Sequence, residues 1–276
     1  MLRHLTLVSA VVLCAATPPL AAQQVAGYRY LLRMTSDRGD DETGTVRLAG
    51  DKERIDLPPG RNDDQGYMLL LNGGHTVAVV HTERREYETM DDTSFQRIIG
   101  TALDAVGNLV SLHLADIKIE TQSLGAGDTI AGYATRRYRL LQEYTVSIGA
   151  LGFSAGDQHH VVVTDFWVSP DLRLPVNPLL ELLATVETAL AQRSEDFVRR
   201  SAAARSALFS GTPLKLVVTA RSFDPNGSGG GGGAGGEHSV RTFEVTRVER
   251  ASFDRSLFDV PDGYTRRENK LNFKLF

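Results

Sequence analysis

The chain has 276 residues, a formal net charge of −4 and one cysteine, Cys14. No basic domain stands out, so nucleic acid is not an expected partner. With its only thiol near the start, the rest of the chain has neither a disulfide framework nor a cysteine nucleophile.

Residues 1–22 read as a secretory signal peptide. Arg3 and His4 form a short basic start, Leu5 to Ala16 is apolar, Thr17-Pro18-Pro19 breaks the run, and Leu20-Ala21-Ala22 offers small residues for cleavage before Gln23. The apolar run is too short to span a bilayer. Leu13 stands where a lipidation signal wants a small residue, so Cys14 belongs to the leader. The expected product is exported, periplasmic or secreted, with cleavage near Ala22 and no transmembrane span in the mature chain. Residues 23–276 are expected to form one domain, long enough to bury roughly 70–75% of the unfolded surface.

Alternation dominates the mature chain. In "YRYLLRMTS" (28–36), Tyr28, Tyr30, Leu32 and Met34 share one face, and Arg29, Leu31, Arg33 and Thr35 the other. Strands are also expected at 43–49, 52–57, 66–72, 75–81, 84–89, 110–124, 128–148, 158–168, 213–223 and 238–250, about eleven in all. Gly50-Asp51 and Asn72-Gly73-Gly74 sit at hairpin turns. Gly125 to Asp128 is expected to turn the chain between two strands, with Gly132 as a bulge in the second. Short connections make the pairing antiparallel.

Helices are expected near 93–107 and 177–209. Phe95, Ile98, Ile99, Ala102 and Val106 have helical spacing before Gly107. Asn177-Pro178 opens the second, whose stripe is Leu179, Leu182, Leu183, Val186 and Leu190, continuing or restarting through Phe197 to Leu208. Between two strands, the glycine-rich 224–237 reads as a hairpin connector, since a phosphate loop needs a following helix and a lysine in register.

No chemistry stands out, and no cofactor or metal is expected. His159 and His160 are adjacent in a strand and point to opposite faces. His75 and His81 are about 20 Å apart along an extended chain. Gly152-Phe153-Ser154-Ala155-Gly156 spells G-x-S-x-G, but a strand follows it rather than the helix of a nucleophile elbow. Arg84-Arg85 and Arg136-Arg137 each offer one arginine per strand face, as solvated positions or as a rim for an anionic headgroup.

The order of several weak motifs resembles a known family. These are "GTVRLAGDKERIDL" (44–57), "YMLLLNGGHTVAVVHTERREYETMD" (67–91), "GDTIAGYATRRYRL" (127–140), "DFWVSPDLRLPV" (165–176) and "FDRSLFDVPDGYTR" (253–266). Together, from about Tyr28 to Tyr264, they resemble the periplasmic lipoprotein-carrier-like superfamily, which includes the Lol carriers, and within it the uncharacterised exported branch. The resemblance implies a mainly β fold: a strongly curved antiparallel sheet, or incomplete β-barrel, with helices covering the open side. In the carriers, the concave face receives lipoprotein acyl chains.

The residues expected to line such a concavity are Tyr30, Leu32, Met34, Val46, Ile55, Leu57, Val77, Val79, Phe95, Ile98 and Trp167. Three functions compete. One is a binding protein or carrier for an apolar ligand, a lipid or acyl chain. Another is a non-enzymatic envelope scaffold with a filled core and a protein partner. The third, a hydrolase using Ser154, is the least favoured.

Overall fold

The computed structural model describes residues 23–56, 66–73, 75–91, 110–150, 153–174, 194–208, 211–224 and 237–267. The leader, the helical segment expected at 93–107, the first part of that expected at 177–209, and most of the glycine-rich connector lie outside the described residues.

The architecture is mainly β: one open, strongly curved sheet, an incomplete barrel, with a helix on one face. Its strands are β1 (Gln24–Ser36), β2 (Asp41–Ala49), β3 (Lys52–Asp56), β4 (Gly66–Leu71), β5 (Thr76–His81), β6 (Glu86–Asp91), β7 (Val110–Ala126), β8 (Arg136–Ala150), β9 (Phe153–Ser169), β10 (Thr212–Phe223), β11 (Glu237–Asp254) and β12 (Thr265–Arg266). The spatial order is β12-β6-β5-β4-β3-β2-β1-β11-β10-β9-β8-β7. All neighbours are antiparallel except β12, which adds to β6 in parallel. That twelfth strand is two residues long, too short to leave an alternation in the sequence.

The turns follow local chemistry. In the β4–β5 connection, Asn72 (φ 55°) and Gly73 (φ 67°) take the left-handed conformation, which Asn and Gly accept at low cost. Gly50 (φ 63°) does the same between β2 and β3.

The strand expected over 128–148 starts only at Arg136. Before it, Ile130 and Tyr133 exchange two backbone hydrogen bonds of 2.9 Å around left-handed Ala131 and Gly132. Gly132 is therefore the tip of a tight turn rather than a bulge. Bulges fall elsewhere: in β7 between Ala115 and Lys118, where Asp116 is left-handed, and between Ser123 and Gly125. They bend the long edge strand and interrupt its free hydrogen-bonding edge.

Register assigns the faces, because cross-strand partners share a face and neighbours along a strand do not. One rung runs Tyr30–Val46–Ile55–Met68–Val79 through β1 to β5. Another runs Met34–Phe243–Leu216–Phe166–Tyr138 through β1, β11, β10, β9 and β8. Both lie on one face, and this face carries the helix.

The helix on this face is α1 (Glu195–Leu208). Ser194 caps it by accepting from the Phe197 N–H at 3.1 Å, and Glu195 and Asp196 meet the positive end of its dipole. Phe197, 1% exposed, packs edge-on to Tyr144 of β8, and buried Gln142 donates to Ser201 Oγ at 2.9 Å. Arg200 donates to the Ile117 carbonyl in the β7 bulge at 3.2 Å.

The opposite face is covered in part by the C-terminal segment. Val260 and Tyr264 pack on Tyr67, Leu69, Ala78 and Val80 of β4 and β5. Phe258, in a 3₁₀ turn (Arg255–Phe258), meets Phe253 edge-on. Among the described residues, no helix is long and apolar enough to cross a membrane.

Candidate functional site

The apolar positions of the helix-bearing face form the candidate site. Tyr30, Leu32 and Val46 are buried in the main core with Leu140, Phe166, Leu214 and Leu216, and Met34 and Ile55 are half-buried against it. Val77 and Val79 lie on the same face and are also half-buried. Burial thus falls along one rung: Tyr30 is 1% and Val46 0% exposed, whereas Ile55, Met68 and Val79 keep accessible surface. Leu57, Phe95 and Ile98 lie outside the described residues.

Trp167 is buried in the same cluster but takes the other face of its strand. It shares a rung with Lys215 and Arg137, on the face opposite Tyr30. Its ring lies between the Arg137 guanidinium, 4.8 Å from the centroid, and the Lys215 ammonium at 5.3 Å. Strand alternation decides this: Phe166, one residue earlier, takes the inner position. A large aromatic is as acceptable on either face until register is known.

Met68 and Glu53 belong to the site face but were not among the expected lining residues. Their signal was parity. In "KERID", Lys52, Arg54 and Asp56 alternate with Glu53 and Ile55, which places a glutamate at an apolar position. Glu53 is 0% exposed, between Leu48 and Leu70 in register. The buried Tyr30 hydroxyl has no hydrogen-bond partner among the described residues. Burial, and then the negative charge of Glu53, push its pKa well above the ordinary tyrosine value. The apolar layer therefore contains a hydroxyl and a carboxyl group.

The two arginine pairs have different surroundings. Arg137 and Arg139 both bind the Asp165 carboxylate, Arg137 through Nη2 at 2.5 Å and Arg139 through Nε at 2.7 Å and Nη2 at 2.9 Å. Burial pulls the Asp165 pKa up, but the hydrogen bonds from Arg139 and Arg137 outweigh it and hold the group below its ordinary value. Arg136 is exposed on the helix-bearing face, opposite Val168. Arg84 and Arg85 lie in the β5–β6 turn, with Arg85 6.0 Å from the Tyr264 ring centroid.

Ser154 lies in β9, paired with Gly149 of β8. The chain runs on from it as strand, so no strand-to-helix elbow forms there. His160 stacks on Tyr144, while His159 lies beside Thr145 on the other face. Among the described residues, no three His, Cys, Asp or Glu side chains are placed to hold one metal ion.

No protein-family model matches the chain, and no curated protein matches it. Among solved structures, it is similar to an uncharacterised conserved protein from Thermus thermophilus, with 7% identity over 88% of this chain and 90% of that one, at a TM-score of 0.38. It is also similar to PNGF-II, with 14% identity over 88% of this chain and a TM-score of 0.35, and spans 31% of that protein's length. A LolA superfamily protein from Nitrosomonas europaea matches at 9% identity over 86% of this chain and 90% of that chain, with a TM-score of 0.25.

Proposed function

We propose that the chain is an exported, non-enzymatic protein of the lipoprotein-carrier-like superfamily that binds a lipid or acyl chain on its helix-bearing sheet face. The observation that carries this reading is the graded rung through β1 to β5. Buried Tyr30 and Val46 continue into the half-buried aliphatic side chains Ile55, Met68 and Val79, with Val77 beside them. Covering such surface with a ligand gains about 25 cal/mol per Å² removed from water. The signal-like first 22 residues and the ordered motifs support export and the superfamily.

Native mass spectrometry of the purified mature chain, with titration of a fluorescent fatty acid, tests the reading. Wild type is expected to carry or take up the probe. Met68→Asp with Val79→Asp is expected to weaken uptake at least about tenfold, because a charge on the apolar face opposes ligand burial. A wild-type protein that carries no lipid and takes up no probe would sink the reading and favour a scaffold with a filled core.

A further inference from the structure

On the face opposite the helix, three arginines stand in one cross-strand row. Arg29 of β1 is the register partner of Arg47 of β2, which is the partner of Arg54 of β3. Like charges directly opposite one another destabilise a sheet. Among the described residues, the row is only partly neutralised, and only from its flanks. On the β11 side, Glu249 takes Arg29 Nε at 2.5 Å and Arg247 at 3.1 Å. On the β3 side, Asp56 pairs with Arg47 and takes Arg54 Nε at 2.9 Å. Among the described residues, four arginines therefore share two carboxylates, a surplus of two positive charges. The Arg54 end is closed: its guanidinium lies 3.5 Å from the Tyr67 ring centroid and donates to the Leu257 carbonyl. The other end is open, with the side chains of Arg29 and Arg247 49% and 67% exposed, and Arg47, between Arg29 and Arg54, keeps 26% of its surface.

We infer that the midline between β1 and β2, between the Arg29 and Arg47 guanidinium groups, is a binding site for an oxyanion of the phosphate class. Planar guanidinium forks match the oxygens of such a group, and an anion there relieves the repulsion along the row. Thr45, beside Arg47 on the same face, adds a hydroxyl donor at the edge. Arg247 approaches from β11. The phosphate comes from a lipid headgroup or from solution, and the chemistry of the site is the same for both. The site lies on the opposite face from the proposed apolar ligand and stands whether or not that reading holds.

Two arms test it on the mature chain. Thermal melting is followed in sodium phosphate against sodium chloride at equal ionic strength. Co-sedimentation is measured with phosphatidylcholine vesicles with and without phosphatidylglycerol. Wild type and Arg221→Gln, which removes an exposed arginine elsewhere on this face, are expected to melt higher in phosphate. Arg29→Gln with Arg47→Gln is expected to bind about tenfold more weakly and lose the shift. Asp56→Asn with Glu249→Gln enlarges the charge surplus and is expected to enlarge the response, which covers the case in which the arginine variant fails to fold. A response in both arms assigns a headgroup phosphate, and a response to inorganic phosphate alone assigns a soluble one. No phosphate response and no selective sedimentation in wild type overturns the inference. So does an undiminished response in a folded Arg29→Gln/Arg47→Gln protein.

Discussion

Asp165 shows how single residues on the face opposite the helix are balanced. Its side chain is 10% exposed and is tolerated there because two arginines bind it. A carboxyl group whose pKa is depressed on folding contributes stability above its unfolded pKa, about 3.9. That contribution is lost as pH falls through the folded value. Asp165→Asn is therefore expected to cost about 1–3 kcal/mol at pH 7, a moderate figure because both arginines are partly solvated. The variant should also lose less stability than wild type between pH 5 and pH 2, a window that brackets the unfolded carboxyl value. Urea melts across that range measure both effects. Parity in the sequence separates Arg137 and Arg139 from Tyr138 and Leu140, and the structure keeps that division. The partner, 26 and 28 residues away, is brought in by β8–β9 pairing and leaves no local signal.

Among the elements, α1 combines a local start with a distant anchor. Ser194 begins it, and Phe197 holds it to Tyr144 and Leu114. Phe197→Ala is expected to destabilise by about 3–5 kcal/mol, by loss of transfer energy and a residual cavity. Amide exchange in α1 is expected to rise before exchange in β8. Equal protection of both elements in the variant would contradict this anchoring role. The hairpins at Gly50 and Asn72-Gly73 were legible because their left-handed residues are the types that adopt that conformation cheaply. The turn at 130–133 was hidden. Its other left-handed residue is Ala131, which carries no turn signature, and Tyr133 and Thr135 extend an apparent β-pattern.

At the scale of the molecule, the sheet is held together by contacts far apart in sequence. β1 pairs with both β2 and β11, and residues 255–267 return to cover β4 and β5. Thr265 and Arg267 donate to the Arg85 and Tyr87 carbonyls at 2.9 and 2.8 Å. Ending the chain at Asp254 removes this segment, including Phe258, which is 1% exposed. The truncated protein is expected to lose at least about 3 kcal/mol and to bind a dye specific for exposed apolar surface. Unchanged melting and no dye binding would show that the segment adds nothing to the fold.

Alternation and turn residues are local, and by themselves they determined the mainly β class, eleven of the twelve described strands and the shared apolar parity of Tyr30, Leu32, Val46 and Ile55. Period two says which residues share a face of one strand. It does not say which face of the sheet that becomes. Register across strands decided that. It sent Trp167 to the face opposite Tyr30, placed Glu53 inside, and set Arg29, Arg47 and Arg54 in one row. Those relations depend on backbone hydrogen bonds between distant segments, which every residue but proline can make and which no single stretch of sequence encodes.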